Sequence, residues 1–325
     1  MTDSARAAFH NAFERSVENL AAISHGEGPG HGVYGVEAST RDGLHNQHRF
    51  TTQEPLTDLR SVSKVVVAMA VGAAIDRAVT LGGVALSLDM PIAPFFHEYV
   101  AGMPAADAAR FRRVELRHLM SNTVGHREGF LFRKDVAGHD DDQLLDYIFS
   151  KPVEFEPGEH FSYSNVGWYL ISAMVARETD VSIADWARDF VLKPVRLADV
   201  AFKRYGRYEI AASGVCMTSS DLHRLARLLA EGGIDEGRQI VSPRWVREMM
   251  ADVYITDDGQ DPRRVLQYCS YGLGLWSTAD GWHYCDGSAG QLLAVKPATG
   301  LAVSAVGDSP SVTEVVNAMQ PLLTL

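Results

Sequence analysis

Three cysteines in 325 residues are too few for a disulfide framework. Cys216, Cys269 and Cys285 also lack metal-ligand spacing, so no metal site is read from them. Lysine is scarce too, with six lysines against 24 arginines, and positive charge is in deficit overall at a formal net charge of −11. The acids gather in clusters such as His139-Asp140-Asp141-Asp142 and Asp257-Asp258. Such a surface does not neutralise phosphates, which excludes nucleic acid and anionic membranes as partners. No apolar run reaches the roughly 20 residues that cross a bilayer. The opening Met1-Thr2-Asp3-Ser4-Ala5-Arg6 leads into a mixed pattern rather than the apolar core of a secretory signal, so the expected location is cytoplasmic. Internal repeats and low-complexity tracts are absent as well. What remains is an ordinary globular composition, 46% hydrophobic and 22% charged, long enough for about two domains.

Against that background stands Ser61-Val62-Ser63-Lys64, at the head of an almost wholly apolar stretch from Val65 to Ile75. A helix that is apolar on every face belongs inside a protein. The run therefore predicts a buried central helix with a lysine in its first turn. Burial disfavours the ammonium form and lowers the pKa of that lysine. Ser61 lies three residues earlier, on the same helical face. A serine beside a lysine that exists neutral is an activated nucleophile. With 23 serines and six lysines, chance yields about 0.4 Ser-x-x-Lys matches. The tetrad alone thus also admits a lysine that snorkels to the helix end or pairs with a carboxylate.

The rest of the chain reads as strands at both ends with helices between. Helical periodicity runs over 5–24 through Phe9, Phe13, Val17, Leu20 and Ile23. Gly26 to Gly32 is a glycine-rich link without the Lys-Ser/Thr of a phosphate loop. Val33 to Ala38 and Arg49 to Thr52 form a strand pair. Helices are expected at Val114 to Ser121, Asp141 to Phe149, Asn165 to Glu178, Ile183 to Leu192, Asp221 to Ala230 and Pro243 to Met250. Tyr271 to Trp276 and Trp282 to Cys285 read as strands, Leu292 to Lys296 and Leu301 to Val306 as a hairpin, and Ser311 to Leu322 as a closing helix. This predicts an α/β fold in which one antiparallel sheet is built from distant segments and flanked by helices. Residues 1–80 with 211–325 form the α/β domain, and 81–210 form an inserted, mainly helical domain.

Two further elements carry chemistry. Glu156-Pro157-Gly158-Glu159-His160-Phe161-Ser162-Tyr163-Ser164-Asn165 is a turn ending in Tyr-x-Asn just before a helix. Asn165 fits an N-cap and Tyr163 a half-buried ring. Near a lysine, the same tyrosine relays protons and the amide holds a substrate carbonyl or the lysine. Asp286-Gly287-Ser288-Ala289-Gly290-Gln291 closes a strand, where small residues admit a substrate backbone as well as a tight turn.

In this order, Asp58-Leu59-Arg60-Ser61-Val62-Ser63-Lys64, Leu86 to Pro91, Leu116 to Gly125, Pro157-Gly158 through Asn165, and Gly214 to Leu222 resemble the motifs of the serine β-lactamase and DD-peptidase superfamily. The likeness is to its class C β-lactamase-like branch, with the family VIII carboxylesterases and 6-aminohexanoate-oligomer hydrolases. It covers nearly the whole chain and implies a β-lactamase/transpeptidase-like fold. It further implies that Ser61 attacks a carbonyl to give an acyl-enzyme while Lys64 and Tyr163 share the general-base role. The oxyanion would be held by the backbone N–H groups of Ser61 and Ser288. Asn165, Asp286, Gly287 and Ser288 are the implied substrate-binding residues, and neither metal nor organic cofactor is required.

The departure is in the third motif, where Cys285-Asp286-Gly287 replaces the family's Lys/His-Thr/Ser-Gly. A thiol followed by an acid cannot attract a substrate carboxylate. A small-molecule ester or amide, or a cationic substrate, is therefore expected before a β-lactam. Acyl transfer to an amine or alcohol, and a catalytically silent ligand-binding relative, are the alternatives. Cys285 is a candidate second nucleophile, while Cys216 and Cys269 read as core residues. His126, Trp168 and His283 are candidate pocket residues that also fit structural roles.

Overall fold

The computed structural model describes residues 2–24, 32–140, 143–256 and 260–325. The expected link at 26–31, Asp141 and Asp142 before the helix near 149, and Asp257-Asp258 lie outside the described residues. Eight strands form one antiparallel sheet: β1 (Gly32–Ser39), β2 (His45–Arg49), β3 (Tyr254–Ile255), β4 (Tyr268–Tyr271), β5 (Trp276–Thr278), β6 (His283–Gly287), β7 (Gln291–Lys296) and β8 (Leu301–Asp308). Their spatial order is β3-β4-β5-β6-β7-β8-β1-β2. The N-terminal hairpin thus docks on the last strand, with Val36 opposite Ala305 and Glu37 opposite Ser304.

Side-chain alternation along β7 and β8 sends Leu292, Ala294, Val303 and Ala305 to one face and Leu293, Val295, Ala302 and Val306 to the other. The first face packs under the helices Asp3–Ile23, Val312–Ala318 and Gln320–Leu323, through Phe9, Phe13, Leu20, Val315, Val316 and Leu322. The second packs under helix Ser219–Ala230, started by a capping box between Thr218 and Asp221. With both faces covered, β1 is buried along its whole length and lacks a solvent-facing stripe. This is the α/β architecture, one antiparallel sheet flanked by helices, that the sequence predicts.

Helices Leu116–Met120, Leu144–Phe149, Val166–Thr179 and Ile183–Ala187 belong to the helical part, which adds no strand to the main sheet among the described residues. They share one apolar core with helix Ser63–Asp76, buried from Ser63 to Ala74. The uniform apolarity read from the sequence is the signature of that position.

Four boundaries differ from expectation. The partner of β1 is His45–Arg49 rather than 49–52, because the hairpin closes early through Thr40 N–H to Leu44 O. Residues 271–276 are two strand ends around a turn in which Gly274 takes φ +92° and Gly272 N–H meets Leu275 O. The helix expected over 183–192 is α-helical to Ala187 and widens to a π-turn at Arg188–Leu192. The closing helix breaks at Met319, where Pro321 restarts it as Gln320–Leu323.

Candidate active site

The turn that carries Ser61 is fixed from behind by a short strand pair. Thr57–Asp58 runs antiparallel to Val215–Met217, and Leu59 N–H donates to Val215 O at 2.8 Å. Arg60 then adopts φ +51°, a region costly for a side chain with a Cβ. The buried Asp58 carboxylate holds this bend. It accepts Arg60 N–H at 2.9 Å and Gly214 N–H at 3.0 Å. It also pairs with Arg133 at 3.0 Å and Lys203 at 3.2 Å. A single 3₁₀ turn, Arg60–Val62, delivers Ser61 half-exposed at the head of helix Ser63–Asp76.

Lys64 is completely buried. Its ammonium donates to Ser61 Oγ at 3.3 Å, Asn165 Oδ1 at 3.2 Å and Ala212 O at 3.2 Å. It also sits 4.9 Å from the centroid of the Tyr163 ring. Burial pulls its pKa down to about 8, opposed by the nearby Cys285 and Asp286. A minor fraction, roughly a tenth to a fifth, is therefore neutral near physiological pH. Asn165 is turned to the lysine, and its Nδ2 donates to Leu131 O at 3.1 Å, so the amide cannot swing away.

Tyr163 lies across the turn, beside the Ser61 side chain. Its ring stacks on Trp276 at 5.5 Å and meets Tyr271 edge-on at 6.0 Å. Burial, then Cys285, raises its pKa well above 10.0, so the group stays a phenol. Ser61, Lys64 and Asn165, drawn from 105 positions of chain, form one hydrogen-bonded cluster, with the Tyr163 ring 4.9 Å from the Lys64 ammonium.

The third motif arrives on β6. Strand alternation puts Tyr284 in the core under the N-terminal helix and Cys285 in the core of the central helix. The Cys285 thiol is buried and donates to Ser61 O at 3.2 Å. Burial pushes its pKa up to about 12, opposed by Lys64. It is a protonated, buried prop under the turn that carries Ser61, an environment that disfavours the thiolate a nucleophile requires. Asp286 pairs with Arg264, whose guanidinium lies 5.9 Å from the Tyr284 ring centroid. The acid is therefore neutralised locally. Gly287 passes beside Leu59 O and Arg60 Cβ, and Ser288 is exposed in the turn to β7. Among the described residues, neither Ser61 N–H nor Ser288 N–H has an acceptor.

Among the described residues, His126, Trp168 and His283 make no hydrogen bond to this cluster. His126 Nδ1 bonds Pro152 O at 2.8 Å, His283 Nδ1 bonds Ser277 Oγ at 2.8 Å, and Trp168 is wholly buried. Sequence reasoning missed Arg264, the Ala212 carbonyl and the Trp276–Tyr271 wall. A backbone carbonyl carries no residue signal, and Arg264 lies in an irregular segment with no periodicity. Trp276 was legible only as part of a strand.

The family model for β-lactamase matches residues 21–320, and the chain belongs to that family. Its fold is shared with a Bacteroides dorei protein classed with the β-lactamases, at TM-score 0.73 and 18% identity over 97% of this chain and 98% of that one. It is also shared with EstCE1, described as a hydrolase with promiscuous acyltransferase activity, at TM-score 0.70 and 15% identity over 96% and 99%. D-amino acid amidase from Ochrobactrum anthropi SV3 matches at TM-score 0.69 and 17% identity over 97% of each chain.

Proposed function

We propose that this protein is a serine hydrolase that forms an acyl-enzyme on Ser61 from a small-molecule ester or amide. The observation that carries the reading is the buried Lys64 ammonium, 3.3 Å from Ser61 Oγ with its pKa drawn down to about 8. Neutral Lys64 takes the serine proton as Oγ attacks the carbonyl carbon. Tyr163, held as a phenol, donates toward the leaving oxygen or nitrogen and is re-protonated from Lys64. Water then attacks the acyl carbon with the same pair acting in reverse. The unpaired N–H groups of Ser61 and Ser288 are assigned to the oxyanion. A single such donor is typically worth about 3–4 kcal/mol in the transition state.

The substrate class follows from β6. Cys285 and the Arg264-paired Asp286 offer no free cation for a carboxylate, which disfavours β-lactams relative to neutral esters and amides. The aromatic wall of Tyr271 and Trp276 beside Tyr163 suits an apolar acyl or acceptor group. That wall also supports a second reading, transfer of the acyl group to an amine or alcohol bound there. EstCE1, which shares the fold, is described as having such an activity.

Intact mass after exposure to a fluorophosphonate and to an activated ester tests the nucleophile. One adduct is expected on wild type and on Cys285→Ser, and none on Ser61→Ala. An adduct that survives Ser61→Ala, or disappears in Cys285→Ser with the fold intact, would remove Ser61 from the role. Product partition between water and added amines or alcohols then separates hydrolysis from transfer.

A further inference from the structure

A helix–sheet interface is ordinarily apolar, yet helix Ser219–Ala230 meets β1, β2 and β8 through a layer of polar side chains. The sheet register builds it. Glu37 stands opposite Ser304, and Ser39 opposite His45, so all four project from the same face. Ser220 and His223 descend onto them from the helix. His223 Nδ1 meets Ser304 Oγ at 3.0 Å and its Nε2 meets Ser39 Oγ at 2.9 Å. Glu37 Oε2 meets His45 Nε2 at 2.8 Å, while its Oε1 accepts from Ser220 at 2.7 Å. The imidazoles of His45 and His223 lie parallel, 5.1 Å apart.

We propose that Glu37, His45 and His223 form a binding site for a divalent transition-metal ion of the zinc class, separate from the Ser61 cluster. One donor atom from each lies within 4.8 Å of the other two. The burial of the acids adds to this geometry. Glu37 and its neighbour Glu54 are both buried, with side chains 3% and 1% exposed. The arginine that pairs with Glu54, Arg49 at 3.2 Å, is itself half in solvent. A divalent cation would give these buried acids a counter-ion that the half-exposed Arg49 and His45 supply only from the edge. Two imidazoles with one carboxylate select zinc-like ions over calcium or magnesium, which prefer all-oxygen sites.

The surroundings match what such ions require. When one nitrogen of His223 takes the ion, the other keeps a serine hydroxyl as its orienting partner. Ser220 does the same for the free oxygen of Glu37. His45 is 42% exposed, so its ring is free to turn toward the ion and leaves a way in from solvent. Binding displaces the proton shared between Glu37 and His45, and water completes the coordination. The ion would clip helix Ser219–Ala230 to the β1–β2 hairpin. No sequence spacing announces the site, because its residues come from positions 37, 45 and 223.

The test uses the full-length protein stripped with a chelator, with Co²⁺ as optical probe and Zn²⁺ in thermal unfolding. Expected are one equivalent of Co²⁺ with a ligand-field band that Zn²⁺ abolishes, and a rise in unfolding temperature with Zn²⁺. His45→Ala changes a residue 42% exposed, and far-ultraviolet circular dichroism of the metal-free variant checks that the fold is kept. It should weaken Co²⁺ binding about tenfold or more and cancel the thermal shift, whereas Ser61→Ala should retain both. Absence of a band and shift in wild type, or equal binding by His45→Ala, overturns the site. A fully hydrogen-bonded polar layer with no ion predicts that outcome.

Discussion

Lys64 concentrates the physical tension of the molecule. Its folded pKa of about 8 lies below the ordinary 10.5, so burial opposes its charge. Below pH 8 the folded state carries a buried ammonium, at a cost on the order of 3 kcal/mol. That cost is relieved as pH rises from about 8 toward 10.5, because the folded state has released the proton while the unfolded state still binds it. Lys64→Met should therefore abolish acylation and still stabilise the fold by about 1–2 kcal/mol at neutral pH. The gain is smaller than the full cost because the variant orphans the Asn165 and Ala212 oxygens. Denaturant unfolding checks it, and a destabilised variant would sink the argument. Tyr163→Phe isolates the second proton carrier, with kcat/KM expected to fall by about 10²–10⁴-fold. The remaining activity should still rise with pH through about 8, since Lys64 supplies that limb. Loss of the limb in this variant would make tyrosine, not lysine, the base.

Elements differed in how far the sequence announced them. The central helix was legible because no polar face interrupts Val65–Ile75, and the β7–β8 hairpin because two apolar runs flank the turn Pro297-Ala298-Thr299-Gly300. The strand pair Thr57–Asp58 and Val215–Met217 was invisible, since two or three residues carry no period. That pair nevertheless aims the nucleophile. Ser61, Lys64, Tyr163 and Asn165 were legible through side-chain chemistry and order along the chain. The partners supplied by Ala212 and Arg264 were not, because contact between irregular segments is a property of the tertiary fold. At β6 the close approach to the nucleophile turn makes Gly287 a sharp probe. A Cβ there would lie 2.8 Å from Leu59 O and 2.9 Å from Arg60 Cβ, and closer still to Gln291 Oε1. Gly287→Ala should push β6 off the turn, with stability lowered by about 1–3 kcal/mol. Acylation should slow by more than that loss explains. A variant with wild-type acylation kinetics would show that the turn does not depend on β6.

At the scale of the whole chain, the sheet is closed by its two ends. Asn19 Nδ2 bonds Ala318 O at 3.0 Å, and Trp282 Nε1 bonds Leu323 O at 3.0 Å, tying the terminal helices over one face. Removing residues 312–325 would uncover Val36, Val303, Ala305 and the buried ring of Trp282. The truncated chain is expected to aggregate on expression, although every residue of the Ser61 cluster remains. Soluble yield and the near-ultraviolet signal of Trp282 report this, and a soluble, reactive truncation would contradict it.

The position of β1 between β8 and β2 also fixes when the protein can become itself. Gly32 pairs with Asp308, so the first strand leaves the ribosome long before its neighbour exists. At about 5–20 residues per second, that interval is roughly a quarter of a minute to a minute. Throughout it, the Val33, Val36 and Ala38 face of the β1–β2 hairpin lies uncovered and the free edge of β1 has nothing to join. The nascent chain is thus a client for whatever shelters exposed strands in the cell, and the Ser61 cluster is assembled only after synthesis is nearly complete.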